Sequence, residues 1–318
     1  MENTLKTTER KVLSKKTKRL LFYIAVVALP VLQFCIFYIY VNFNSLVVAF
    51  QRFAIPDSGM GYEKQFAAFD NFRVAFQTIG KGWSKIAMSL RMIACELFIG
   101  LPLALVFSFY IYKKFPLAGT FKVMLFMPQI ISSIIFVTLF SRIVDEVYKA
   151  VFHAEYGLLS IDAPLKTRIA TILFYNVWIS FGVNVMMFTG TMSGIDGSIV
   201  EAAQLDGANI VQEFFHVTMP MIWSTFTTFV VISLTGVFTH QLSLFAFFGV
   251  WADDYGLSSF GYFLFIKSLA GNVRENPNFP DELTYSQLAA LGIVLTAITL
   301  PIVLITRKVM AKLGPSLS

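Results

Sequence analysis

Six apolar runs, each about as long as a bilayer crossing, constrain this chain more than any other feature. They lie at about 20–42, 86–112, 121–142, 168–193, 221–248 and 286–306. A helix needs roughly 20 apolar residues to cross the hydrocarbon core. Such segments satisfy their backbone polar groups best as helices. Composition agrees: 56% of residues are hydrophobic, only 14% are charged, and Phe occurs 34 times. That is too apolar for an ordinary soluble domain. The expected fold is all-α, a polytopic membrane protein with six transmembrane helices. Pro30, Pro102, Pro128 and Pro301 fall within the spans. Each removes a helix hydrogen bond and offers a kink. The last span is the shortest.

Charge sets the expected orientation. Seven Lys/Arg lie in residues 1–20, directly before the first run. Residues 1–19 therefore read as a basic cytoplasmic tail, and 20–318 as the transmembrane domain. The net charge of +6 is spent on this anchor, so no nucleic acid is expected as partner; the lipid bilayer is. The first run is too long for a signal-peptide core and is expected to stay as a span. With the N-terminus inside, the inner segments hold 13 Lys/Arg and 6 Asp/Glu, and the outer loops, counted with Arg142 and Arg168 at their edges, 11 and 12. Both termini then lie in the cytoplasm. The outer loops 43–85, 143–167 and 249–285 are long enough for small caps, with turn formers at 56–61. Cys35 and Cys95 sit in apolar runs, without metal-ligand spacing and with no disulfide expected.

The inner segment 194–220 differs from the other three. It contains Asp196, Glu201, Asp206 and Glu213 and no Lys or Arg. Ser198 and Glu201 fit a capping box that would start a short helix. Gly207 suits a left-handed turn that ends it. A second helix would run from about Asn209 to Thr218. Asn209, Gln212, Glu213 and His216 share one face, with Ile210, Val211, Phe214 and Phe215 opposite. An interfacial membrane helix is one reading, but such helices usually carry Lys/Arg for anionic lipid. The acidic face better suits a basic protein groove.

The pattern Glu201-Ala202-Ala203-x-x-Asp206-Gly207-Ala208, with Phe214 and Pro220, resembles the E-A-A loop of permease subunits in binding-protein-dependent importers of the ATP-binding cassette (ABC) type. Val217 and Met219 are conservative replacements in it. Asp196-Gly197 stands where many relatives have Ile-Pro, which bears on where the first helix begins. The resemblance implies a type I importer permease fold, with 195–220 as the coupling loop that docks on the motor subunits. Glu201 and Asp206 would make polar contacts there. Ala202, Ala203 and Ala208 would allow close approach, Gly207 would form the turn, and Phe214 would fill a pocket or pack under the bundle. It further implies two ATPase subunits, a second homologous permease and an extracytoplasmic solute-binding protein, in a bacterial cytoplasmic membrane. The six-span layout with a long basic start is similar to carbohydrate-importer permeases of the maltose and multiple-sugar kind.

The chain has no phosphate loop; its one Gly-Lys pair, Gly80-Lys81, lacks the other motif residues. No metalloprotease or nucleophile-elbow motif occurs either. No catalytic residue, metal site or bound cofactor is therefore expected. ATP and Mg would belong to the partner ATPases, and the chain would not itself be an enzyme.

Several polar residues within spans are candidates for the solute path. Glu96 is costly in a bilayer, so it should face a cavity or an inter-helix partner; Arg91 lies on a different face and snorkels outward. Trp178 and Asn184 on the fourth span, and His240 and Gln241 on the fifth, suit a sugar by stacking and hydrogen bonding, or else bond helices together. Gly190-x-x-x-Gly194 permits close helix packing. Asp253-Asp254 could meet a binding protein or be a solvated loop. A non-sugar solute, an ion-coupled transporter and an intramembrane enzyme are the rival readings. The second would be expected to show inverted repeats, and the third a catalytic dyad or metal cluster within the spans; neither is evident.

Overall fold

The computed structural model describes residues 14–54, 63–270 and 283–315. The larger part of the basic tail, residues 1–13, and the turn at 56–61 lie outside the described residues. Lys15 already begins the first span, capped by Ser14, whose hydroxyl accepts from the Lys16 N–H at 3.3 Å.

Among the described residues, five helical runs have the length and composition of single crossings. They are Lys15–Ala49, Trp83–Tyr112, Leu165–Met192, Ile210–Thr235 and Tyr285–Leu313. The sixth expected span, third in chain order, is a pair of helices, Ala118–Ile130 and Ser133–Phe152, bent by 105°. Apolar composition continues across the bend, so hydropathy reads one run. Pro128 lacks the N–H that would hold the helix, and Ile131 is extended (φ −77°, ψ 140°). The bend is held from outside. The Gln129 amide donates to the Ile179 carbonyl of the fourth span. Nearby, Gly182 lets the Leu125 backbone lie against that span, where any Cβ would collide.

The fifth span is also shorter than expected. It stops at Thr235, not 248, and a separate short helix, Leu244–Phe248, follows a turn. Leu242 and Ser243 take positive φ there. Side chains from elsewhere satisfy the carbonyls this break exposes. Asn176 Nδ2 donates to Leu242 O at 3.0 Å, and Ser259 Oγ to His240 O at 3.0 Å. Irregular backbone at this depth is tolerated where protein covers it. The last span is not short: it runs 29 residues, opened by a Thr284–Gln287 capping box. Its helix continues through Arg307, Lys308 and Lys312, beyond the apolar window that set the expectation.

The loops after the first and fifth spans carry structure of their own. A hairpin pairs Gln51–Ala54 with Glu63–Phe66, and the helix Asp70–Lys81 follows. Asn71 is buried and its amide donates to Ala49 O and Gln51 O, both at 2.9 Å, tying this cap to the first span. The loop after the fifth span folds into a further helix, Phe260–Ala270.

Three apolar clusters hold the bundle. One joins the second, fourth and fifth spans around Leu101, Phe109, Phe188, Met192 and Ile222. A second gathers Met88, Phe140, Tyr175, Leu244 and Tyr262. The third packs the outer cap on the last span through Ala75, Phe260, Leu291 and Val294. Polar bonds add to them: Ser108 Oγ donates to Val185 O at 3.0 Å between the second and fourth spans. Such bonds and small residues take the place of a hydrophobic drive between helices in lipid. Gly190, expected at a close helix contact, has nothing within 4 Å of where a Cβ would sit. Gly182, two turns earlier, is the glycine that packing requires.

Candidate coupling loop and solute path

The loop between the fourth and fifth spans is two helices around a glycine. The first, Gly197–Leu205, is capped by Asp196, not Ser198. The Ser198 N–H donates to Asp196 Oδ1 at 3.0 Å. That bond holds the Asp196 carboxyl below the usual carboxylate range. A β-region Asp immediately before the helix satisfies the free amides more directly than the expected Ser198–Glu201 box. Glu201 is thereby left exposed.

The helix ends in a Schellman motif. The Gly207 N–H donates to Gln204 O at 3.1 Å, and the Ala208 N–H to Ala203 O at 3.0 Å. Gly207 has φ +82°, the left-handed conformation this cap demands. Asn209 then caps the second helix in a reciprocal box with Gln212. That helix passes through a wider turn, Phe214–Thr218, and Pro220 into the fifth span without a break.

The faces of the second helix are not as polarity alone suggests. Glu213, expected on an outward acidic face, is 2% exposed. Both its oxygens accept from Lys113 Nζ, at 2.8 and 2.9 Å, and Gln204 Nε2 donates at 3.2 Å. Phe214 is half-buried, 5.0 Å ring to ring from Phe109 of the second span, so it packs under the bundle. Ile210, Val211 and Phe215 are exposed instead. The surface beside the glycine turn is mixed. Glu201, Ala202, Asp206 and Gly207 are exposed, Leu205 is 89% exposed, and Ala203 and Ala208 are half-covered. Leu205 went unremarked in the sequence, although it stands directly beside Asp206.

The solute-path candidates divide into two places. Glu96 is buried on the second span, where the helix widens over Glu96–Gly100 just ahead of Pro102. Its carboxylate accepts from Ser180 Oγ at 2.9 Å and Asn184 Nδ2 at 2.8 Å, both from the fourth span. This is inter-helix bonding, and Arg91 has no part in it. Ser180 went unremarked in the sequence, though it stands one helical turn before Asn184 on the same face. Trp178 is packed in an aromatic group with Phe136 at 5.2 Å and Phe174 at 6.1 Å. His240 and Gln241 are not on the fifth-span helix but in the turn after it. His240 is exposed and Gln241 half-buried. The His240 ring fills the space a Cβ on Gly236 would need. Asp253, in the outer loop, pairs with Lys85 Nζ at 3.0 Å and is not simply solvated.

The structure is thus a multi-span helical bundle with one two-helix loop and covered breaks in two of its spans. Residues 96–318 match the family model "Binding-protein-dependent transport system inner membrane component". The chain belongs to that family. It is 28% identical to the probable ABC transporter permease protein YurN of Bacillus subtilis (strain 168), over 66% of this chain and 73% of that protein. It is 25% identical to the arabinooligosaccharides transport system permease protein AraP of the same organism, over 87% of this chain and 85% of AraP. Its fold matches a chain in the crystal structure of a bacterial alginate ABC transporter in complex with an alginate pentasaccharide-bound periplasmic protein. The TM-score is 0.69 at 18% identity, covering 92% of this chain and 94% of that one.

Proposed function

We propose that this chain imports an oligosaccharide, delivered by an extracytoplasmic solute-binding protein, and is driven by two separate ATPase subunits that grip the loop 195–220. A second, similar permease completes the pathway. ATP and Mg are held by the ATPases, and both termini of this chain face the cytoplasm. The observation that carries this reading is the surface around the Gly207 turn. Leu205, Glu201 and Asp206 project there from a rigidly capped turn, with no basic residue to favour lipid. Apolar tips and carboxylates on one short helix pair fit a groove in a soluble partner. Ala202, Ala203 and Ala208 keep the backbone approachable.

The carbohydrate assignment is supported by the names of AraP and of the alginate transporter, and by side chains suited to sugar hydroxyls. The path runs past His240 and Gln241, in the turn after the fifth span. Glu96 is hydrogen-bonded to Ser180 and Asn184 between the second and fourth spans, and Trp178 packs among aromatic side chains. Residues 18–47 of the first span are exposed along their whole length. That leaves them free for lipid or for the second permease.

Co-purification with the ATPase subunits, followed by uptake of labelled arabino- and alginate oligosaccharides into cells, tests the reading. Glu201→Lys and Gly207→Val are expected to lose the ATPase and the uptake together. Unchanged assembly and unchanged uptake in both would refute the coupling role. Uptake of a non-sugar solute in place of oligosaccharides would refute the cargo class.

A further inference from the structure

We infer that the Lys113–Glu213 ion pair is the tie that makes the second span follow the coupling loop. The inference rests on the reading of 195–220 as the ATPase-docking loop. The fifth span needs no tie, since it is one helical run with the loop's second helix, Ile210–Thr235. The second span has no such continuity; it ends at Tyr112, and Lys113 is its C-cap. A cation is favoured at a helix C-terminus, so Lys113 is well placed to receive an acid there.

Glu213 is placed to couple three pieces at once. Its carboxylate takes both hydrogen bonds from Lys113 and one from Gln204, which lies on the loop's first helix beyond Gly207. One buried acid therefore fixes both loop helices to the end of the second span. Phe214 on Phe109 adds an apolar contact beside it. The second span is in turn bolted to the fourth at two levels, by Ser108 to Val185 and by Glu96 to Ser180 and Asn184. These levels are 12 residues apart on the second span, about 18 Å along a helix. A displacement of the loop that carries Lys113 with it would so reach Glu96.

A buried ion pair is poor evidence of stabilisation, because apolar residues of similar volume often serve as well. What an apolar pair lacks is direction: it can slide, whereas a doubly bonded ammonium–carboxylate cannot without breaking. Lys113 and Glu213 are thus positioning residues, and the apolar double variant Lys113→Met with Glu213→Leu separates the two roles.

The test uses the chain's own thiols. It has two cysteines, and Cys95 adjoins Glu96 on the second span. In a Cys35→Ser background, with the complex in nanodiscs, the rate of Cys95 labelling by a methanethiosulfonate reagent is read without nucleotide and with ATP and vanadate. The unaltered pair is expected to give a nucleotide-dependent change in rate. The apolar double variant should assemble and hydrolyse ATP but lose that change, and Lys113→Arg should keep it. A change that persists in the double variant, or its absence with the pair intact, would overturn the inference. If the double variant does not assemble, Glu213→Gln, which keeps the shape and a bond to Gln204, replaces it. Failure of both to assemble would make the pair structural only and end the proposal. Failure of the unaltered chain to bind the ATPases would instead overturn the docking reading beneath it.

Discussion

Substitution at Gly207 tests the coupling turn most directly, because the cost can be assigned to one cause. Gly207 sits at φ +82°, and a Cβ built there meets nothing within 4 Å. Steric crowding is therefore absent, and any penalty is that of a left-handed backbone. For Ala this is about 1–2 kcal/mol, while Asn, which visits that region readily, should cost less. The penalty falls on the Schellman bonds Gly207 N–H to Gln204 O and Ala208 N–H to Ala203 O. If the turn must be formed to dock, 1–2 kcal/mol corresponds to a roughly 5–30-fold loss of affinity. Affinity for the ATPase subunit, measured by titration against the nanodisc-embedded permease, should rank Gly207 first, then Gly207→Asn, then Gly207→Ala. Gly207→Val should be weakest, since a β-branched residue at positive φ is a genuine outlier. Equal binding by the Ala and Asn variants would refute the argument, because strain would then not be what limits docking. So would wild-type binding by Ala.

Three further predictions rest on single contacts. Gly182→Ala should lower the melting temperature of the purified protein, since the Leu125 backbone occupies the space of a Cβ; overpacking costs about 1–3 kcal/mol. Gly190→Ala, with open space around it, should melt as wild type, and equal effects of the two would refute the packing argument. Asn184→Ala removes a donor to the buried Glu96, which should cost on the order of 1–3 kcal/mol. Thermal unfolding should show the loss, with Glu96→Gln milder because an amide still accepts, and a wild-type melt for Asn184→Ala would count against the cluster. The Asp196 cap should be pH-sensitive. Its carboxyl is held low by the Ser198 N–H, so its stabilisation is complete above the ordinary carboxylate range and fades as pH falls through its own lower value. Amide exchange at Ser198, corrected for the intrinsic rate, should show protection lost only on acidification, and Asp196→Ala should lack that step.

The spans and the two-helix form of the loop at 197–218 could be read from the chain because both depend on neighbours in sequence. Apolar length marks a crossing, and Asp-Gly followed by Asn209 and Gln212 marks a stop and a restart. Pro128 marks a kink near Ile131, but a bend of 105° there and the break after Thr235 could not be read this way. Their apolar content is continuous, and what permits them is supplied from far along the chain, by Gly182 and Ile179 for one and Asn176 and Ser259 for the other. The second loop helix shows the same limit from another side. Periodicity sets Asn209, Gln212, Glu213 and His216 against Ile210, Val211, Phe214 and Phe215, but the covered side takes Glu213 from one set and Phe214 from the other. That depends on Lys113, 100 positions away, which turns Glu213 inward. Ile210, Val211 and Phe215 are left exposed at the point where the helix enters the span. An apolar face there meets either lipid or a docked partner, whereas an outward Glu213 could have met only the partner. The acidity that first set this loop apart is therefore divided: Glu201 and Asp206 are exposed at the turn, and Glu213 is buried against Lys113 at the end of the second span.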